Sequence, residues 1–163
     1  MATIDLDATD IRIITVLQEQ GRISNLELAD LVGLSPTPCG RRVKRLEEAG
    51  VILGYRARID PASLGLGISV MVGVRLEKHK PDAVAQFLEA VHRRPEITEC
   101  LLVTGDVDYL LRVRISSVDA LKDFILRELT AIPSVAATST MLILEASKPE
   151  GALPISAATA VSR

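Results

Sequence analysis

Four basic side chains lie close together in one short segment of this 163-residue sequence: Arg41, Arg42, Lys44 and Arg45. On a helix, such groups can contact phosphates and base edges in the major groove of DNA. We expect Ser35 to cap the start of this helix. The N–H groups at that end of the helix can point at a phosphate. The positions expected to face bases are Thr37, Pro38 and Arg41. The alternative is a solvated helix face whose arginines pair with Glu47 and Glu48.

The charge distribution favours DNA contact. The net charge of −2 argues against a nonspecific coat on nucleic acid. Residues 36–58, however, hold six basic and two acidic residues, whereas the segments before and after them are both net acidic. Any polyanion should therefore meet the protein at residues 36–58, where Arg56 and Arg58 are further candidates for phosphate contact.

A second candidate site is the segment 104–109, Thr-Gly-Asp-Val-Asp-Tyr. Gly105 permits positive φ and lets a ligand approach the backbone closely. The carboxylates of Asp106 and Asp108 could bind an ammonium group, and exposed N–H groups of a turn could bind a carboxylate. The alternative, which the spacing alone favours, is a hairpin turn in which both aspartates make only local hydrogen bonds.

Other kinds of site are poorly supported. The two cysteines and two histidines, Cys39, Cys100, His79 and His92, are too isolated for a disulfide framework or a metal site. No nucleophile or base stands near the aspartates, so we predict no enzyme activity, no metal and no cofactor. The first residues lack a signal-peptide pattern, and no apolar run approaches the ~18–20 residues of a membrane helix. We expect a cytoplasmic protein that contacts no membrane.

The first part of the chain is predicted to form a helix-turn-helix unit. Asp7 can cap a first helix, Ser24 and Glu27 read as a capping box for a second, and Ser35 precedes the basic third helix. A tight turn at Gly33 joins the last two helices. The predicted helices span about 7–20, 25–32 and 35–49, and residues 51–59 are predicted to form a connecting strand.

The second part of the chain has a different periodicity of apolar residues. Apolar and polar residues alternate in 68–77, as in a strand with one buried face. The predicted order is β-α-β-β-α-β, the ferredoxin-like pattern, with strands 68–77, 97–104, 107–115 and 136–145 and helices 82–94 and 118–131. The expected fold class is α+β, and the expected domains are 1–60, a linker 61–67, 68–146 and a tail 147–163.

The sequence resembles the Lrp/AsnC ("feast/famine") family of transcription regulators over nearly its whole length. The matching segments are 21–24 (Gly-Arg-Ile-Ser), 32–35 (Val-Gly-Leu-Ser), 42–47 (Arg-Val-Lys-Arg-Leu-Glu) and 105–111 (Gly-Asp-Val-Asp-Tyr-Leu-Leu). The resemblance implies a winged helix-turn-helix, dimers through the second domain that assemble into tetramers or octamers, and an amino acid bound near the Gly105 turn. Gly40 departs from the family pattern, because relatives often carry a bulkier residue there.

The predicted function is therefore a sequence-specific DNA-binding transcription regulator that responds to a small effector, an amino acid. Its predicted partners are double-stranded DNA, that amino acid and further copies of the chain. The predicted effector-binding residues are Leu102, Thr104, Gly105, Asp106, Asp108, Tyr109, Thr138 and Thr140. One alternative is a regulator with no effector, in which the Gly105 turn is only an oligomer contact. Another is a small-molecule-binding module or enzyme that carries a helical N-terminus.

Overall fold

A computed structural model describes residues 5–77, 82–148 and 150–155 of the chain. The described residues divide into two compact units, with boundaries after Arg58 and after Ser147. The described residues that follow Ser147 therefore belong with the first unit, although they directly follow the second along the chain. Within these described ranges, no helix is long and apolar enough to cross a membrane.

The first unit contains three helices, α1 (Ala8–Glu19), α2 (Asn25–Val32) and α3 (Pro36–Glu48). A capping box starts α1, in which the Asp7 carboxylate accepts from the N–H of Asp10 and the Asp10 carboxylate accepts from the N–H of Asp7. The predicted capping box of Ser24 and Glu27 is confirmed at the start of α2.

The predicted cap of α3 is wrong in one respect. Ser35 occupies the N-cap position, but its side chain makes no capping hydrogen bond. Pro38 stands at the third helical position and has no N–H, which removes one of the two N–H groups that an N-cap side chain commonly binds. Pro36 also lacks an N–H, so the helix start offers Thr37 as the only N–H donor among its first three residues. This start is a poorer phosphate site than the sequence suggested.

Residues 51–59 form no strand, which corrects the predicted connecting strand. Val51 and Ile52 instead pack on the core of the first unit, while Leu53 and Ile59 are exposed. A strand requires a partner for its backbone groups, and the first unit supplies none here. The sequence pattern shows that the residues can be extended, but it cannot supply that partner.

The core of the first unit is small and aliphatic. Three helices each contribute to it, and every member is at most 3% exposed: Ile13, Leu28, Ala29, Val32, Cys39 and Leu46. Ile13 lies on α1, so the inner face of that helix also includes Asp10, one turn earlier. A charged residue therefore shares the buried face of α1.

The second unit is a four-stranded antiparallel sheet with helices on one face. Its elements are β1 (Ile68–Leu76), α4 (Ala83–His92), β2 (Ile97–Leu102), β3 (Tyr109–Ile115), α5 (Val118–Asp123) and β4 (Val135–Leu142). The strand order is β2-β3-β1-β4, so β1 and β3 are central. After α5 the chain continues through a wider π-helical segment, Phe124–Leu129. The predicted β-α-β-β-α-β order is confirmed, but β2 and β3 are separated by six residues rather than by a tight turn.

The core of the second unit lies between the central strands and the helices. Alternate residues of β1 and β3 are buried, as the period of a strand requires. Phe87 of α4 contacts Tyr109 of β3, with ring centroids 4.9 Å apart. The opposite face of the sheet carries Met71, Leu101 and Met141 and is partly exposed.

We expect Leu111→Ala to lower the free energy of unfolding of the second unit by about 2–5 kcal/mol. Leu111 has no exposed surface and lies on a central strand, so truncation leaves a cavity that neighbouring strands cannot easily fill. The measurement is urea unfolding followed by circular dichroism. Leu126→Ala is the matched control, because Leu126 is mostly exposed and its truncation should change stability by no more than about 0.5 kcal/mol.

Candidate nucleic-acid interface and ligand site

The basic residues of α3 surround a shallow concavity on the first unit. Its volume is about 370 Å³, and it is lined by Asp7, Pro38, Arg41, Arg42 and Arg45. Three of the four predicted basic residues therefore lie at one place, next to an acidic residue that was not predicted there. Lys44 lies outside this group and pairs with Glu48 on the same helix at 3.6 Å.

Two of these arginines are held by acidic residues of α1 and its cap. Arg42 Nη1 donates to Asp7 Oδ2 at 2.6 Å and to Asp10 Oδ1 at 2.8 Å, and Arg45 pairs with Asp10 Oδ2. Arg42 and Arg45 therefore already have acidic partners within the first unit. The sequence alternative named the wrong partners for these two arginines, because the acids that bind them lie more than 30 residues away rather than on α3.

These contacts shift the pKa values of Asp7 and Arg42, which pair with each other at the concavity. The N–H of Asp10, and then the guanidinium of Arg42, lower the pKa of Asp7. Hydrogen bonds to Asp7 and Asp10 raise the pKa of Arg42. Both groups therefore stay charged over the whole range in which the protein would meet DNA.

Arg41 is the basic residue of α3 that has no ion pair or hydrogen bond within the described residues. It is exposed beside the concavity, and Thr37 is exposed one turn earlier on α3. Pro38 is partly buried and lines the concavity itself. Arg56 and Arg58, beyond α3, are also exposed. The side chains that the sequence assigned to DNA contact are thus accessible at the surface of this unit.

The unusual Gly40 is explained by the packing of α2 on α3. A Cβ atom on Gly40 would lie 3.3 Å from Oδ1 of Asn25, which is tighter than an ordinary contact. The Asn25 amide donates to the carbonyl of Pro36 at 2.9 Å and so ties α2 to the first turn of α3. Gly40 therefore faces α2. Asn25 could not be recognised from the sequence as a contact of α3, because it opens α2 and belongs to no motif that points to another helix.

The predicted ligand turn lies between β2 and β3 and is fixed to β1 through Asp108. The N–H of Asp108 donates to the carbonyl of Val74 at 2.9 Å, and its Oδ2 accepts from the N–H of Leu76 at 2.8 Å. Its carbonyl accepts from Val103 at 3.0 Å. The Asp108 carboxylate is therefore occupied with the backbone, but its partner lies 32 residues away on β1, so the interpretation that both aspartates make only local hydrogen bonds is wrong for Asp108.

The tip of the turn is open. Gly105 has φ of 126°, a conformation that glycine adopts far more readily than other residues. Thr104 and Asp106 are exposed, and Asp106 has no ion pair or hydrogen bond among the described residues. Val107 packs against β1, where a Cβ on Gly73 would lie only 2.9 Å from Val107 Cγ1. Gly73 therefore leaves the space that Val107 of the turn occupies, and no local sequence signal marks this glycine.

Most of the remaining predicted effector residues are placed less favourably for contact with a ligand at the Gly105 turn. Tyr109 is only 6% exposed, and its ring belongs to the core. Thr138 and Thr140 of β4 lie opposite Val74 and Val72, so they share the helix-covered face of the sheet. Ser139 lies opposite Gly73 and shares the face on which Val107 packs. Leu102 is 75% exposed at the end of β2.

Thiol and metal chemistry find little support in the described residues. Burial raises the pKa of Cys39 and of Cys100, so neither thiol favours the reactive thiolate form. No group of three or more potential metal ligands occurs in the part of the chain that the structure describes. His92 bonds the carbonyl of Leu88. His79 lies outside the described residues.

Two segments of the chain match known families. Residues 69–153 match the Lrp/AsnC ligand binding domain, and residues 6–52 match a winged helix-turn-helix DNA-binding domain. The leucine-responsive regulatory protein of Haemophilus influenzae is 45% identical over 140 residues, or 86% of this chain and 84% of that protein. The protein of the same name from Escherichia coli K12 is 44% identical over 151 residues, or 93% of this chain and 92% of that protein.

Solved structures agree with these sequence matches. A transcriptional regulator of Neisseria meningitidis, crystallised as an L-Met complex, has a TM-score of 0.88 at 40% identity and covers 91% of this chain and 96% of its own. An AsnC family transcriptional regulator of Agrobacterium tumefaciens has a TM-score of 0.83 at 36% identity and covers 91% of this chain and 97% of its own.

Proposed function

Because the chain belongs to the Lrp/AsnC family of transcription regulators, we propose a specific site for each of its two activities. The protein is a DNA-binding transcription regulator with a ligand-binding domain. Its DNA-binding surface is the basic face of α3, and its effector site is the exposed turn at Gly105. The proposal rests on one observation in each unit. Arg41 in the first unit and Asp106 in the second are exposed charged side chains without a partner among the described residues.

The proposed DNA contacts follow from exposure and charge. Arg41 has no partner among the described residues, and Arg42 and Arg45 line the same concavity. Thr37 and Pro38 stand at the start of α3, which is the part of a recognition helix that contacts base edges. Lys44 is exposed and pairs only loosely with Glu48, so a phosphate can compete for it.

The proposed effector is an amino acid, and its chemistry fits the tip of the turn. Asp106 offers a carboxylate to an ammonium group, and the backbone at Thr104 and Gly105 offers N–H groups to a carboxylate. The L-Met complex of the Neisseria meningitidis regulator supports this class of ligand. Leu102 is the proposed apolar neighbour of the ligand, and Asp108 and Tyr109 support the turn. We propose no direct ligand contact for Thr138 and Thr140, because their strand positions face the helices.

We further propose that the protein is a homo-oligomer built on a dimer, and that tetramers or octamers form from it. The support is the sheet face opposite the helices, where Met71, Leu101 and Met141 are partly exposed together. A second copy would remove this apolar surface from water. We expect sedimentation at micromolar concentration to give a mass of at least two chains, and a monomer there would contradict the proposal.

The regulator without an effector remains the second candidate. The exposed Leu102 beside the turn favours it, because an apolar side chain at that place also suits a contact between subunits. Neither candidate requires catalysis, and we propose no enzyme activity and no cofactor. As a DNA-binding protein, it is proposed to work in the cytoplasm, where bacterial relatives such as the leucine-responsive regulatory proteins would meet DNA.

A panel of amino acids scored by thermal shift separates these two candidates. A ligand that binds only the folded state stabilises it by RT ln(1 + [L]/Kd), so an effector at a hundred times its Kd adds about 2.7 kcal/mol. We expect at least one amino acid to raise the melting temperature while its amide derivative, which lacks the free carboxylate, does not. A panel without any shift favours the regulator that has no effector.

Gly73→Ala should displace the turn and weaken the effector response. The new Cβ would meet Val107 at 2.9 Å, and valine has no flexible end that could move aside, so the turn must shift on β1. The measurement is the ligand-induced shift in melting temperature. The double variant Gly73→Ala with Val107→Ala restores the space and should recover most of the response. An undiminished response in the single variant would show that the ligand binds elsewhere.

A further inference from the structure

The Asp10 side chain has no exposed surface, although it is charged and lies on a short helix of a small domain. Its Oδ1 accepts from Arg42 Nη1 at 2.8 Å, and its Oδ2 accepts from Arg45 and from the N–H of Asp7 at 3.1 Å. Burying a carboxylate is costly unless several donors satisfy it, and here three donors do so. Asp10 therefore fixes two arginine side chains of another helix.

The two arginines reach Asp10 with only part of their donor capacity. Each guanidinium has five N–H groups, and the contacts with acidic residues use Nη1 of Arg42 and Nη2 of Arg45. The side chains remain 32% and 47% exposed, respectively. Since positions three residues apart lie on the same helix face, both guanidinium groups face the concavity that Arg41 also lines.

We propose that Asp10 is a positioning residue for DNA binding, which holds Arg42 and Arg45 in place so that they bind backbone phosphates alongside Arg41. This inference rests on the proposed DNA-binding surface of α3. Planar guanidinium groups suit the oxygen atoms of phosphate. A long side chain that is already held in place loses less rotamer freedom on binding, so fixing the arginines in the free protein strengthens the complex.

Simple electrostatics predicts the opposite change in DNA affinity when the charge of Asp10 is removed, so the proposal can be tested. Removing a negative charge next to a DNA-binding surface should increase the attraction for DNA. If Asp10 only neutralised the arginines, Asp10→Asn would therefore bind DNA more tightly. If Asp10 positions them, the same variant binds more weakly, because asparagine turns an N–H₂ group toward at least one guanidinium and releases it.

Asp7 supplies a comparison within the same cluster. Its carboxylate lies at the rim, 2.6 Å from Arg42, and it is about half exposed. It therefore occupies space that a phosphate would take, whereas Asp10 lies beneath the arginines. Asp7→Ser keeps an oxygen that can cap α1 and removes the competing charge. This variant should bind DNA a few times more tightly, which is the opposite of the change expected for Asp10→Asn.

The experiment measures binding of the full chain to a mixed-sequence DNA duplex over a series of salt concentrations, below the melting temperature of every variant. Asp30→Asn, an exposed aspartate on α2, is the control for the change in net charge. We expect Asp10→Asn to bind at least about tenfold more weakly than Asp30→Asn, with a salt slope shallower by about 1–2, since each phosphate contact contributes about 0.9. Equal or tighter binding by Asp10→Asn overturns the proposal.

A wild-type chain without salt-dependent binding would instead overturn the DNA-binding surface itself. If Asp10→Asn does not fold, side-chain NMR of the wild type decides the question. Adding the duplex should then shift the guanidinium signals of Arg42 and Arg45, while the signal of Arg94, which pairs with Glu128 in the second unit, stays in place. Unchanged signals for both α3 arginines would overturn the proposal.

Discussion

Substituting glutamine for Arg41 and Arg45 together should weaken DNA binding by at least about a hundredfold near physiological salt. Each lost hydrogen bond to a charged group is worth about 1.5–3 kcal/mol, and 1.4 kcal/mol corresponds to a factor of ten. Both side chains line the concavity beside α3. The salt slope should also become shallower by about two units, because two phosphate contacts disappear. Filter binding or fluorescence anisotropy with a labelled duplex gives both quantities.

The matched control for this pair is glutamine at Arg93 and Arg127. Both are exposed arginines of the second unit, and each pairs with an acidic residue one helical turn away, so the change in net charge is the same. The control should retain most of the affinity and an almost unchanged salt slope. Equal losses in the two double variants would indicate that binding depends only on net charge and not on α3.

Asp106→Ala should abolish the response to the effector while DNA binding without ligand stays at the wild-type level. Asp106 is exposed at the tip of the turn, and nothing in the described chain depends on its carboxylate. The loss should therefore be specific to the ligand. The measurement compares the DNA affinity of both proteins with and without the amino acid that gives the largest thermal shift. Glu145→Ala, another exposed acidic residue of the second unit, serves as the control and should respond like the wild type.

Asp108→Ala should behave differently from Asp106→Ala. It removes the carboxylate that accepts from the N–H of Leu76, so the turn loses its attachment to β1 and the second unit loses stability. We therefore expect Asp108→Ala to have a lower melting temperature than the wild type even without ligand. If Asp106→Ala also melts early, or if it responds as well as the wild type, the turn has only a structural role.

The sequence predicted best those elements whose signals are local. The capping residues Ser24 and Glu27 and the left-handed Gly33 lie within one helix and its turns, and α2 begins and ends at the predicted residues. The alternation in 68–77 predicted β1 almost to the residue. These features depend on neighbours in the chain, so composition and period were sufficient to find them.

The errors concern partners that are distant in the chain. The main partners of Asp10 are Arg42 and Arg45, which lie more than 30 residues away from it in the chain. A buried charge cannot be recognised from sequence unless its partners are known. Asp108 and Asp106 have the same residue type, and only the structure shows that one binds the backbone of β1. The extended segment 51–59 has the composition of a strand but no partner in its unit.

We propose that one chain binds DNA through α3 and changes that binding when an amino acid occupies the Gly105 turn. Coupling between the two sites requires the ligand to prefer one binding state of the protein over another. The most direct measurement is the affinity of the wild type for its selected DNA site over a salt series, with and without each amino acid of the panel. We expect a steep negative salt slope and a severalfold change in affinity with at least one amino acid. Salt-independent binding, or an affinity that no amino acid changes, would be incompatible with this proposal.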